Sequence, residues 1–123
     1  MAPTRCTPNC VANGVKPIIG IEAYVTPETA RQDKSRVHWG TEAQRRDDVS
    51  GGGLITHLTM WAENDEGLVN LIKASSVANL EGRVMRYPRM DKEVLATYSK
   101  GVIASSGWPL GHHPDPSAPR SVR

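Results

Sequence analysis

The chain has no phenylalanine, and aromatic residues of every kind make up only 5% of it. Large rings fill a core efficiently. A core built here must rest on Ile, Leu, Val, Met and Ala, and so thin a supply points to part of a larger unit. Cysteine is nearly absent: Cys6 and Cys10 stand as Cys-x3-Cys. Zinc would need further ligands and no second pair exists, so they read as two incidental reduced thiols. No apolar run is long enough to span a membrane. The N-terminus has no apolar centre of a signal peptide, so the expectation is a cytoplasmic protein with no membrane partner. Neither sign of charge dominates: 15 Lys plus Arg face 13 Asp plus Glu, a net +2 that gives no bulk electrostatic reason to invoke a polyanion. The length of 123 residues allows one domain.

What is present is organised around two apolar stretches. Residues 16–25 (KPIIGIEAYV) read as a buried strand carrying one acid, Glu22. An unpaired buried carboxylate costs several kcal/mol, so the acid is expected to be ion-paired, protonated or bound to a metal. Residues 54–63 (LITHLTMWAE) read as a second strand with His57 at its centre. Alternation puts Ile55, His57, Thr59 and Trp61 on one face, and Leu54, Thr56, Leu58, Met60 and Ala62 on the other. A carboxylate and an imidazole on two core strands suit a metal site. They equally suit a buried ion pair and a hydrogen-bonded core histidine.

Residues 1–13, with Pro3, Pro8 and Asn13, read as an irregular lead. Residues 26–53 are polar, and their mixed charges suggest a plain solvated loop. Asn64 caps a helix reaching about residue 80, with Asp65 and Glu66 at its positive end. Residues 81–90 form a basic connector. Its Arg83, Arg86 and Arg89 either contact nucleic acid or line an ordinary exposed segment. Asp91 caps a short helix over 92–99, and residues 102–106 form a third strand. Residues 108–123, rich in proline with His112 and His113 adjacent, read as a disordered tail. The order predicts an α/β fold with about three parallel strands joined by crossover helices.

Five segments in this order carry a resemblance: 15–25 (VKPIIGIEAYV), 56–67 (THLTMWAENDEG), 70–80 (NLIKASSVANL), 88–91 (PRMD) and 101–107 (GVIASSG). Together they resemble the PHP (polymerase and histidinol phosphatase) domain of the bacterial DNA polymerase III alpha subunit. The resemblance runs over about residues 14–107. The insert with His38-Trp-Gly and Asp47-Asp-Val-Ser-Gly is similar to that of actinobacterial-type subunits. It implies a distorted (β/α)7 barrel whose strand ends hold divalent metal, Zn or Mn. Such a domain is either a 3′–5′ proofreading exonuclease or its structural remnant. It also implies DNA and other replicative polymerase subunits as partners of the parent protein. On this resemblance Glu22 and His57 match two metal ligands.

The departures from the family shape the functional expectation. The His-x-His strand that opens the family has no counterpart before Gly14, the family's Cys ligand position holds Trp108, and the later Asp-x-His pair is missing. Residues 14–107 therefore read as a partial domain between an unmatched lead (1–13) and an unmatched tail (108–123), as in a truncated or frame-shifted reading frame. The expected function is a piece of a replicative DNA-directed DNA polymerase that is inactive alone, without the polymerase active site. The alternatives are a non-catalytic DNA- or protein-binding scaffold and an independent metal-dependent phosphoesterase.

Overall fold

A computed structural model of the chain describes residues 3–37 and 52–105, with side chains from residue 7 onward. The second part of the long connection and the tail expected at 108–123, with Trp108, His112 and His113, lie outside the described residues.

The described residues build one mixed sheet with two helices on one side. The elements are α1 (Pro3–Ala12), β1 (Gly20–Val25), β2 (Thr56–Ala62), α2 (Asp65–Glu81), β3 (Arg83–Val84), β4 (Tyr87–Met90), α3 (Lys92–Thr97) and β5 (Val102–Ser105). The strands lie in the order β3-β4-β1-β2-β5.

The α/β class holds, but the pairing differs from the parallel expectation. β1 and β2 are antiparallel, with Tyr24 opposite His57 and Glu22 opposite Thr59. β2 and β5 are antiparallel as well. Among the described residues the parallel pair is β1 with β4, joined at Tyr24↔Arg89 and Val25↔Met90. The connections explain this. Parallel neighbours need a crossover that spans the sheet, usually a helix. The described part of the β1–β2 connection contains no helix, whereas α2 lies between β1 and β4 in the chain and supplies that crossover.

The segment read as an irregular lead contains α1. Pro3 is its first residue, where a missing N–H goes unused. Beyond its end, the Asn13 side chain bonds back to the Asn9 carbonyl at 2.8 Å, and Gly14 takes φ +70°. Pro8 removes a single interior bond. The prolines thus mark a helix start and a local defect, not an absence of helix. The basic connector is likewise structured, as the β3–β4 hairpin, with Val84 opposite Tyr87.

α2 begins where sequence reasoning places it. The Asn64 side chain accepts from the Gly67 N–H at 2.9 Å, and Asp65 and Glu66 occupy the first turn. Its buried line is Gly67, Leu71, Ala74 and Ala78, one stripe of a 3.6-residue helix. Small residues there let the helix lie close on the strands. Gly67 is the extreme case: a Cβ would stand 1.7 Å from the Gly101 carbonyl oxygen. The main core lies between this stripe and Ala23, Met60 and Met90 of the sheet, with Val94 of α3. A cavity of about 190 Å³ opens at its margin beside Leu58, Leu71, Tyr98 and Val102.

Candidate functional site

β1 and β2 alternate, so each sends every second residue away from the helices. Ala23, Leu58 and Met60 face α2. Glu22, Tyr24 and His57 stand on the opposite face. No helix covers them among the described residues.

On this open face Glu22 and His57 meet. Their positions are diagonal across the β1–β2 ladder, within reach of long side chains. The Glu22 Oε1 lies 2.6 Å from the His57 Nδ1. The carboxylate accepts from an Nδ1–H, which fixes the orientation of the ring. The Glu22 side chain is 64% exposed and that of His57 18%. The expectation of a buried Glu22 is thereby corrected. Nothing among the described residues covers this end of the outer face of β1, so the carboxylate keeps its hydration.

The ring of His57 packs edge-on against Tyr24, with centroids 5.4 Å apart, and Tyr24 packs edge-on against Tyr87 at 5.3 Å. Beneath the tyrosines lies a second apolar cluster of Leu54, Ile55 and Val84. These contacts fix the imidazole plane. Neither tyrosine was singled out from the sequence as a site residue, although both sit at alternating strand positions that point away from the helices.

The three connector arginines separate. Arg83 and Arg86 are exposed. Arg86 Nη2 donates to the Tyr87 Oη at 3.0 Å, and its guanidinium carbon stands 5.2 Å from the ring centroid. Arg89 is fully buried at 0% exposure, which corrects its expected role in touching nucleic acid. Its guanidinium is spent on the backbone. Nη2 donates to the Arg31 and Asp33 carbonyls, both at 2.6 Å. Nη1 reaches the Leu54 carbonyl at 3.4 Å and Nε the Gly82 carbonyl at 3.5 Å. Burial pulls its pKa down, with Asp33 opposing. A guanidinium still remains charged.

Arg31 is the second pin. It bridges Glu81 at the end of α2 (2.8 Å), Asp91 (3.0 Å) and Glu93 of α3 (2.8 Å). Hydrogen bonds to Glu93 and Glu81 raise its pKa further. Asp91 caps α3 by accepting from the Val94 N–H at 3.1 Å, and it also accepts from the Arg31 N–H at 3.0 Å. Burial pushes its carboxyl up, but these bonds and the Arg31 guanidinium outweigh burial and hold it below the usual carboxylate range. Residues 26–37 are therefore a pinned rim, not a plain solvated loop. The rim also closes on itself, because the Val37 N–H bonds the Gly53 carbonyl at 2.9 Å.

Glu22 and His57 together offer one carboxylate oxygen donor and one imidazole nitrogen. A catalytic metal takes about three protein ligands. Among the described residues no group of three or more His, Cys, Asp or Glu is placed to hold a metal ion. The described set fits two ligands of a metal site and does not fit a complete one. No helix among the described residues is long and apolar enough to cross a membrane.

Comparison with known proteins adds the relatives. The family model described as "PHP domain" matches residues 5–120. The DNA polymerase III subunit alpha of Mycobacterium leprae is 51% identical over 98 residues, covering 80% of this chain and 8% of that protein. The Saccharopolyspora erythraea subunit is 50% identical over 105 residues, again 80% of this chain and 9% of the relative. The Deinococcus radiodurans subunit is 43% identical over 94 residues, covering 76% and 6%. The chain thus spans less than a tenth of the length of these relatives.

Proposed function

We propose, for a chain that belongs to the PHP domain family, that it carries the part of a replicative polymerase alpha subunit that supplies two ligands of a divalent metal site. Glu22 and His57 are those ligands. The observation that supports this is the Glu22–His57 contact of 2.6 Å on the open face of the sheet. It sets the plane of the imidazole through a carboxylate on one ring nitrogen, as metal-bound histidines are commonly oriented. In the parent subunit, further ligands complete the site for Zn or Mn. The metal then supplies charge stabilisation and an activated water for phosphodiester hydrolysis, the chemistry of a 3′–5′ exonuclease.

The barrel architecture, DNA and the other polymerase subunits as partners, and a cytoplasmic location belong to the same reading. So do a lead and a tail flanking a domain core over residues 14–107, within the family match over residues 5–120. By itself the 123-residue chain binds metal weakly and does not turn over.

Mn²⁺ titration followed by proton NMR of the histidine rings tests this. Expected is selective broadening of the resonances that disappear in His57→Ala. Broadening that spares those resonances would overturn the assignment of ligands. Mn²⁺-dependent cleavage of a 3′-labelled oligonucleotide that EDTA stops and His57→Ala abolishes would overturn the inactivity.

A further inference from the structure

A row of side chains crosses the open face from β2 over β1 to the β3–β4 hairpin. It runs from His57, with Glu22 bonded to it, through Tyr24 and Tyr87 to Arg86. Successive spacings are 5.4, 5.3 and 5.2 Å. One end is the carboxylate–imidazole pair, the other a guanidinium, and two phenol rings lie between.

We propose that Arg86 is a phosphate-binding side chain for a single-stranded polynucleotide laid along this row, with Tyr87 as the residue that positions it. The proposal rests on the reading of Glu22 and His57 as the end where a phosphodiester is held. A single strand offers a charge and a π-face at every residue, and surfaces that bind it interleave cations with rings. An acidic peptide offers the charge alone. From His57 to Arg86 the row crosses two strand spacings of about 4.8 Å, from β2 over β1 to β4, more than one stacked rise of ~3.4 Å, and measures at most about 16 Å. The two ends therefore meet different nucleotides of one strand.

Arg86 is built to stay in place. Its Nη2 is tied to the Tyr87 hydroxyl at 3.0 Å, and the guanidinium lies against the ring. The hydroxyl hydrogen bond also raises its pKa. The turn that presents it is unusual: Met85, 74% exposed, takes φ +55°. A left-handed conformation is uncommon for so bulky a residue. The ladder pairing of Val84 with Tyr87 holds that turn.

The test is fluorescence anisotropy of a labelled oligothymidylate, titrated with the 123-residue chain at several KCl concentrations in EDTA. Wild type is expected to bind with an affinity that falls as salt rises. Arg86→Ala is expected to reduce the slope of log K against log salt by about 0.7, the counterion release of one phosphate contact on a single strand. Arg86→Lys is expected to keep the wild-type slope. Arg86 is exposed, so Arg86→Ala keeps the wild-type melt and its loss of slope cannot be assigned to unfolding.

Three results would overturn the proposal: no binding by wild type, an Arg86→Ala slope equal to wild type, or an oligoglutamate of matched charge that competes equally well. The Mn²⁺ experiment on His57 separates the two readings. A lost slope without broadening at His57 sinks the metal assignment alone, and broadening at His57 with an unchanged slope sinks the Arg86 subsite alone.

Discussion

The two faces of the sheet are made by the same strands and do opposite work. The face under α2 is filled by Ala23, Met60 and Met90, each no more than 4% exposed. The other carries Glu22, His57, Tyr24 and Tyr87, partly open to water and held by side-chain pairs. One-residue alternation separates them. Burial on the first face stabilises the fold by removing apolar area from water. Contacts on the second fix directions at little gain in stability, because exposed ion pairs contribute about 0–1 kcal/mol. Chemistry can therefore be rewritten on the open face without unfolding the sheet.

The covered face breaks first. Met60→Ala leaves a cavity beneath α2 and is expected to cost about 2–5 kcal/mol, read as a lower denaturation midpoint in urea. A loss below 1 kcal/mol would show that α2 does not seal that face.

Arg89 joins the faces at the pinned rim. Arg89→Met leaves the carbonyls of Arg31, Asp33 and Leu54 without their donor. The expected loss is about 1–3 kcal/mol for each carbonyl that stays buried. Amide exchange should rise in residues 26–37 before it rises in α2, and equal rises in both would contradict the separation.

Acid acts through Asp91. Its folded carboxyl is held below the usual range, so its contribution is fully present above the unfolded value of about 3.9 and is lost as pH falls through the lower folded value. Asp91→Asn removes this group's share of the acid limb; the amide oxygen still caps α3, so the cost at neutral pH comes from the charge lost opposite Arg31. Melts of both proteins from pH 7 to pH 2 check it. Parallel curves over that interval would show that Asp91 is not the group responsible.

Smallest is Glu22→Gln, expected to change stability by less than about 1 kcal/mol. It should still change the tautomer ratio of the His57 ring in ¹⁵N NMR. An unchanged ratio would mean that the carboxylate does not orient the imidazole.

Much of this was legible in the chain, for local reasons. The alternation of residues 54–62 separated the faces of β2. Asn64 and Asp91 announced the helix starts, because a short polar side chain before an apolar run is a capping signal. Glu22 and His57 stood out as ionisable groups in strands. Strand direction was not legible, since nothing in β1 or β2 states which way a neighbour runs. The β3–β4 hairpin was hidden by its brevity and its charge. Arginine is seldom fully buried, so Arg89 read as surface. Only the convergence of carbonyls more than fifty residues away in sequence shows otherwise. Arg31 was hidden for the same reason, its three carboxylates lying on elements distant in the chain.

The most direct measurement is the thermal midpoint of wild type and His57→Ala, each in EDTA and in Mn²⁺. If the open face carries a half-site that the fold does not need, the two midpoints agree within about 4 °C in EDTA, as expected for a difference under 1 kcal/mol. Mn²⁺ at tenfold its Kd then raises wild type alone, by the equivalent of about 1.4 kcal/mol. A His57→Ala chain that melts far lower in EDTA, or that gains as much from Mn²⁺ as wild type, would contradict it.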